Sequence, residues 1–179
     1  MFYVSDIFKT APKKFQTPLQ QSTYQVLEKL TIPFERVETD EAITMEDCIQ
    51  INQKLNMEMV KTLFLCNRQQ TAFYLFITTG SKPFRSKDFS NALGVSRVSF
   101  APVELMEEML GTKIGAATVF SAILDNQNKV QIVLDKDVVS SEWYGCSDGI
   151  TTSYMKIKTE YITGKFLPFV KHIPAVIEV

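Results

Sequence analysis

Lys61 is the residue whose type and position most invite chemistry. It stands at the entrance of Leu63-Phe64-Leu65-Cys66, an apolar run closed by Asn67-Arg68-Gln69-Gln70, so residues 59–67 read as a strand. Pleat alternation sends Lys61, Leu63 and Leu65 to one face and Thr62, Phe64 and Cys66 to the other. A lysine so placed either guards the sheet rim or aims its ammonium into a cleft to hold an anion. A second stretch, Gly115-Ala116-Ala117, is made of small residues that admit a ligand or another backbone at close range before the chain becomes strand. It also reads as a plain connection between elements. Cys146-Ser147-Asp148-Gly149 sets a thiol, a hydroxyl and a carboxylate side by side. Ser-Asp-Gly is ordinary turn chemistry, and no histidine lies near in sequence to activate the thiol, so Cys146 reads as a small buried side chain. Lys82, Arg85 and Lys87 put three basic groups within six positions of a loop, suited to phosphates or to solvent. His172 precedes Pro174 near a helix end and reads as a local cap.

Composition removes several alternatives. The 179 residues suit one domain with a real core, and 45% hydrophobic with 22% charged residues is a globular profile. A net charge of −1 means that any nucleic-acid contact must come from a local basic patch. Three cysteines without CxxC spacing and a single histidine make neither a disulfide framework nor a zinc site. No metal or cofactor is therefore expected. Asp6 interrupts the start of the chain, no signal-like apolar core follows, and no run is long enough to cross a bilayer. These features point to a cytoplasmic protein of a reducing compartment, with no membrane contact.

The elements that must position these groups follow from pattern. Residues 1–16 carry no period and read as an extended arm, leaving residues 17–179 as the domain. Thr17 and Pro18 open an amphipathic helix through Leu19, Tyr24, Val26, Leu27 and Leu30. Residues 32–38 read as a strand with Pro33 at its beginning. Asp40 is expected to cap a second helix to Leu55, with Ile43, Met45, Cys48, Ile49 and Ile51 among its apolar positions. The Lys61 strand follows, then a strand over 71–79 at hairpin spacing. A short helix over 87–93 ends at Gly94, residues 97–101 form a strand, and Pro102 opens a helix closed by Gly111. Residues 130–135 read as a strand, 143–150 as a loop between strands, 151–157 as a strand, 159–170 as a helix, and 175–179 as a β-rich tail. Helices alternate with strands early and strands run together later, so the fold class is α+β: one compact domain with a mixed, largely antiparallel sheet flanked by helices.

Five pieces, in order, resemble the YbaK/ProX family of aminoacyl-tRNA deacylases, related to the editing domain inserted in bacterial prolyl-tRNA synthetase. They are Lys61-Thr62-Leu63-Phe64-Leu65, the strand from Phe73 to Thr78, Arg97-Val98-Ser99-Phe100-Ala101, Gly115-Ala116-Ala117-Thr118-Val119-Phe120 with Asp125-Asn126, and the segment from Gly145 to Ile157. With the helices between them they cover roughly residues 20–170. The resemblance implies a curved mixed sheet around one pocket. It implies hydrolysis of the ester joining a wrong amino acid to the terminal adenosine of a tRNA, with a prolyl tRNA carrying a small non-cognate residue as the expected substrate. In that frame Lys61, Gly115 and Thr118 carry catalysis, Lys61 holding the tRNA end and the glycine loop supplying backbone amides around the carbonyl. Thr62, Phe120, Ser147, Asp148 and Thr151 face the substrate, and Lys82, Arg85 and Lys87 track tRNA phosphates. The partners implied are the aminoacyl-tRNA 3′ end and an aminoacyl-tRNA synthetase. The sequence departs from the family pattern at Thr62, where asparagine is usual, at Val119 in place of proline, at Ser147-Asp148 in place of His-Pro, and at Thr151 in place of asparagine. Those departures keep a second reading open: a tRNA-binding or regulatory module of the same fold with impaired catalysis. A small-molecule binder using the same pocket is a third.

Overall fold

The computed structural model describes every residue of 1–179 except Ile43, so the reading of Ile43 as a helical apolar position lies outside the described residues. Among the described residues, no helix is long and apolar enough to cross a membrane.

Residues 1–16 run along the first strand: Val4 bridges Thr39 and Phe8 bridges Arg36. The Arg36 guanidinium lies 4.8 Å over the Phe8 ring and donates to the Thr10 carbonyl. Helix α1 (Pro18–Lys29) starts where expected, with the Thr17 hydroxyl accepting from the Gln20 N–H and proline in the first turn. Its buried stripe is Leu19, Gln20, Thr23, Tyr24 and Leu27. Strand β1 (Glu35–Glu38) leads to α2 (Cys48–Leu55), which begins later than Asp40. The Asp40 carboxylate instead accepts from the Tyr3 N–H, and reciprocal bonds between Thr44 and Asp47 form the turn that precedes the helix. Met45 therefore precedes the helix.

Strands β2 (Val60–Asn67) and β3 (Phe73–Thr79) form the expected hairpin, with Val60 opposite Thr79 and Cys66 opposite Phe73. Helix α3 (Ser86–Leu93) ends at Gly94 in the left-handed region (φ 74°), and β4 (Val98–Phe100) follows. Helix α4 (Val103–Leu105) runs into a wider turn, Met106–Leu110, closed by Gly111. Residues Val119–Leu124 are a 3-10 helix where strand was expected: the Thr118 hydroxyl accepts from the Phe120 N–H and starts a helical turn. Strand β5 (Val130–Asp135) and helix α5 (Lys136–Val139) come next. Residues 143–147, expected in a loop, form β6 (Trp143–Ser147), paired antiparallel with β7 (Ser153–Lys158). Gly145 gave the loop signal, yet it serves close approach: a Cβ there would strike the Met57 side chain and reach 3.1 Å from the Glu58 carbonyl. The final helical segments, α6 (Thr159–Tyr161) and α7 (Leu167–Phe169), flank a wider turn, and β8 (Ala175–Ile177) closes the chain.

The strands make two sheets, so the single curved sheet expected is divided. One has the order β1-β7-β6 and is antiparallel; the other has the order β4-β2-β3-β5-β8 and is mixed, with β5 parallel to both β3 and β8. The α+β architecture holds, with antiparallel pairings in the majority. Pleat alternation along β2 is as expected. Phe64 and Cys66 enter the main core with Leu27, Ile77, Val119, Phe120 and Met155. Leu65 and Leu63 enter a separate layer with Phe76 and Phe89 under α3. A third cluster packs α2 against Val37, Met59 and Tyr154.

Candidate active site

A cleft of about 410 Å³ opens where the two sheets part. Among the described residues one isolated bridge, Met59 to Gly145, joins them. Strand β4 pairs only with Leu65–Asn67, and the Ala101 N–H bonds the Phe64 carbonyl, so the first turn of β2 has an uncovered edge. That edge is one wall; Gly115, Ala117, Cys146 and Ser147 supply the opposite one, and Met45, Met59 and Met106 line the rest.

Lys61 and the glycine loop, 54 positions apart in the numbering, thus border one hollow. The Lys61 ammonium donates to the Lys82 carbonyl and forms no ion pair among the described residues. Partial burial pulls its pKa below the ordinary lysine range, because desolvation disfavours the charged form. Thr62 lines the same cleft.

The loop is braced from both sides. Gly115 sits at φ 86°, a backbone conformation that glycine adopts without strain. The Thr118 hydroxyl, fully buried, donates to the Ser147 carbonyl at 2.9 Å, and the Ser147 hydroxyl donates back to the Ala116 carbonyl at 3.0 Å. Two reciprocal straps therefore pin the loop to the end of β6. The N–H groups of Gly115 and Ala117 take no partner among the described residues, which leaves donors beside the cleft for a developing oxyanion.

Other residues singled out from the sequence lie elsewhere. Phe120 is in the main core, edge-on to Phe166 at 5.1 Å. Asp148 turns away from the cleft: its Oδ2 accepts from Gln20 and Tyr24 of α1 and from Ser153. Burial raises the pKa of this carboxyl despite those donors. The Thr151 hydroxyl bonds Glu41 near the surface, while its carbonyl accepts from the Ala42 N–H and the Tyr154 hydroxyl. Lys82 is held at 2.8 Å by both Asp135 and Asp137; with Arg85 it borders a second, smaller cleft of about 180 Å³. Lys87 is exposed on α3. His172 is buried, with Nε2 2.9 Å from Asp125 and Nδ1 2.8 Å from the Val170 carbonyl. Cys146 lines the cleft, but burial pushes its thiol far above the ordinary range, so it does not supply a thiolate nucleophile.

Phe100, Met106 and Tyr154 also line the cleft and were not singled out as site residues. Only Phe100 carried a signal: a large aromatic on a strand too short to bury it.

The model of the aminoacyl-tRNA editing domain matches residues 39–164, a span that contains every residue bordering the cleft. The prolyl-tRNA editing protein ProX of Acetoanaerobium sticklandii is 26% identical over 120 residues, covering 67% of this chain and 73% of that protein. Among solved structures, the hypothetical protein APE2540 superposes with a TM-score of 0.65 at 14% identity, over 86% of this chain and 96% of its own. A protein described as a candidate trans-editing enzyme for prolyl tRNA synthetase gives 0.63 at 15% identity, over 92% and 99%. At such identities the structural matches speak for the fold.

Proposed function

The chain belongs to the aminoacyl-tRNA editing-domain family, and from that premise we propose that it works in trans as a deacylase, removing a small wrong residue from a prolyl tRNA. The observation that carries this reading is the meeting of Lys61 and the Gly115 loop at one cleft. The cytoplasm, where tRNAs are charged, is its place, and a synthetase is its upstream partner. Residues 17–179 form the working domain.

Hydrolysis of an activated ester requires orientation, a water molecule and oxyanion donors more than a protein nucleophile. In this reading Lys61 holds the terminal phosphate of the tRNA, its partly desolvated ammonium exchanging the Lys82 carbonyl for a phosphate oxygen. The N–H groups of Gly115 and Ala117 receive the carbonyl oxygen as it becomes an oxyanion. Water adds to the carbonyl carbon, the carbon–oxygen bond to the ribose breaks, and the ribose oxygen takes a proton. The products are a free amino acid and an intact tRNA. The vicinal ribose hydroxyl of the substrate assists the water. Ser147 contributes through its strap to Ala116, keeping the loop's amides in place.

The test is a panel of prolyl tRNAs charged with alanine, cysteine, serine or proline. At least one mischarged form should lose its amino acid well above the buffer rate while the prolyl form is spared. If every ester is as long-lived as in buffer, the deacylase reading is wrong. Salt-sensitive tRNA binding without turnover would restore the binding-module reading.

A further inference from the structure

We propose that Phe100 is the stacking platform for the terminal base of the aminoacyl-tRNA, an inference that rests on the deacylase reading above. Phe100 is 62% exposed, an unusual state for a phenylalanine on a strand, and it borders the cleft. It lies opposite Leu65, so its side chain shares the sheet face of Leu65, Leu63 and Lys61. Four strand positions separate Lys61 from Leu65, about 13 Å at the usual rise. One face of the cleft rim therefore carries an ammonium at one end and a bare ring at the other.

The ring is propped. Phe84 packs against it at 5.5 Å and rests in turn on Phe76 and Phe89 at 6.2 and 6.3 Å. The outer surface of Phe100 is open while its other side rests on Phe84, so a base stacking there would order little that is not already ordered. Val103 and Ile114, also exposed, continue the apolar rim. Among the described residues lining the cleft Lys61 is the one charged group, which assigns the backbone of the incoming strand to its end and the base to the Phe100 end. Aromatic stacking tolerates any base and suits a site that meets the same 3′ terminus on every substrate.

The experiment measures binding of a short single-stranded RNA ending in CCA, uncharged, against the same RNA with the terminal base removed. Phe100→Ala should weaken binding of the intact RNA by about 5- to 100-fold. Removing the base should weaken binding to the wild type by a similar factor, and the two losses should not add. Phe100→Trp should match or exceed the wild type, and the alanine variant should melt at the wild-type temperature because so little of the ring is buried. In deacylation, Phe100→Ala should raise KM and leave kcat nearly unchanged. Equal weakening of both RNAs by Phe100→Ala, or none, overturns the platform. If that occurs while the wild type still cleaves a mischarged tRNA, only the platform is lost. If the wild type neither binds the RNAs nor cleaves any ester, the deacylase reading falls with it.

Discussion

Lys61 and Lys82 are neighbours in space, joined by a bond from the Lys61 ammonium to the Lys82 carbonyl, and they are opposites in chemistry. Lys82 stands between Asp135 and Asp137 at 2.8 Å from each, and Asp135 is almost wholly buried. Burial alone would pull the Lys82 pKa down, but the hydrogen bonds and charges of the two aspartates outweigh it and hold the group above the ordinary lysine range. Lys61 has only burial acting on it, and its pKa falls. A lysine with two carboxylates is satisfied by the fold and has little left to offer a phosphate. A lysine bonded to one carbonyl at a cleft mouth gains when a phosphate arrives. Charge in a sequence marks both residues alike; partners distinguish them.

The largest effect should come from Lys82→Met. It strands the Asp135 carboxylate, leaving it the Thr78 hydroxyl and the Asp137 N–H, and should cost about 3 kcal/mol in urea unfolding. The exposed Asp137 contributes little of this, since solvent screens it. The pH dependence has two signs. Asp135 has a depressed pKa, so its contribution is present above the unfolded carboxyl value and lost as pH falls through the folded one. Lys82 has a raised pKa, so its contribution is present below the unfolded lysine value and lost as pH rises through the folded one. The stability gap between wild type and Lys82→Met should therefore be flat through neutrality and close at both extremes. A gap unchanged at pH 2 would break the comparison.

Next comes Lys61→Ala, expected to lower kcat/KM for deacylation by about 10- to 100-fold, the loss of one charged hydrogen bond. Its unfolding midpoint should stay at or slightly above the wild-type value, because a partly desolvated ammonium is removed. Titration sharpens the contrast: affinity for a CCA-ending RNA should decline with rising pH earlier than an ordinary lysine of pKa about 10.4 would dictate. The smallest effect is that of Ser147→Ala, which removes one of the two straps on the glycine loop at about 1 kcal/mol. Its mark should be a lowered kcat with KM little changed.

What was legible in the sequence was what local pattern specifies. The β2 run, the Thr17-Pro18 start of α1 and the glycine stops at Gly94 and Gly111 depend on neighbours within a few residues, and they stand where the sequence puts them. The convergence of Lys61 and Gly115 came from the order of five weak motifs rather than from any one of them. What stayed hidden depended on distant partners. Asp148 turns away from the cleft because Gln20 and Tyr24, more than 120 positions earlier, draw its carboxylate into α1. Lys82 is taken by residues 53 and 55 positions later. Gly145 looked like a loop because glycine signals turns, whereas Met57 needed the space inside a strand. His172, read as a cap, does bond the Val170 carbonyl near the helix end, but its second nitrogen meets Asp125, which also fastens the turn into β5.

The most direct test is single-turnover deacylation of whichever mischarged prolyl tRNA the protein cleaves best, with wild type, Lys61→Ala and Lys82→Met compared at a temperature where all three are folded. The account predicts a rate well above buffer for the wild type, a loss of at least about tenfold for Lys61→Ala, and a much smaller loss for Lys82→Met. Equal rates for wild type and Lys61→Ala, or a larger loss at Lys82 than at Lys61, would contradict it.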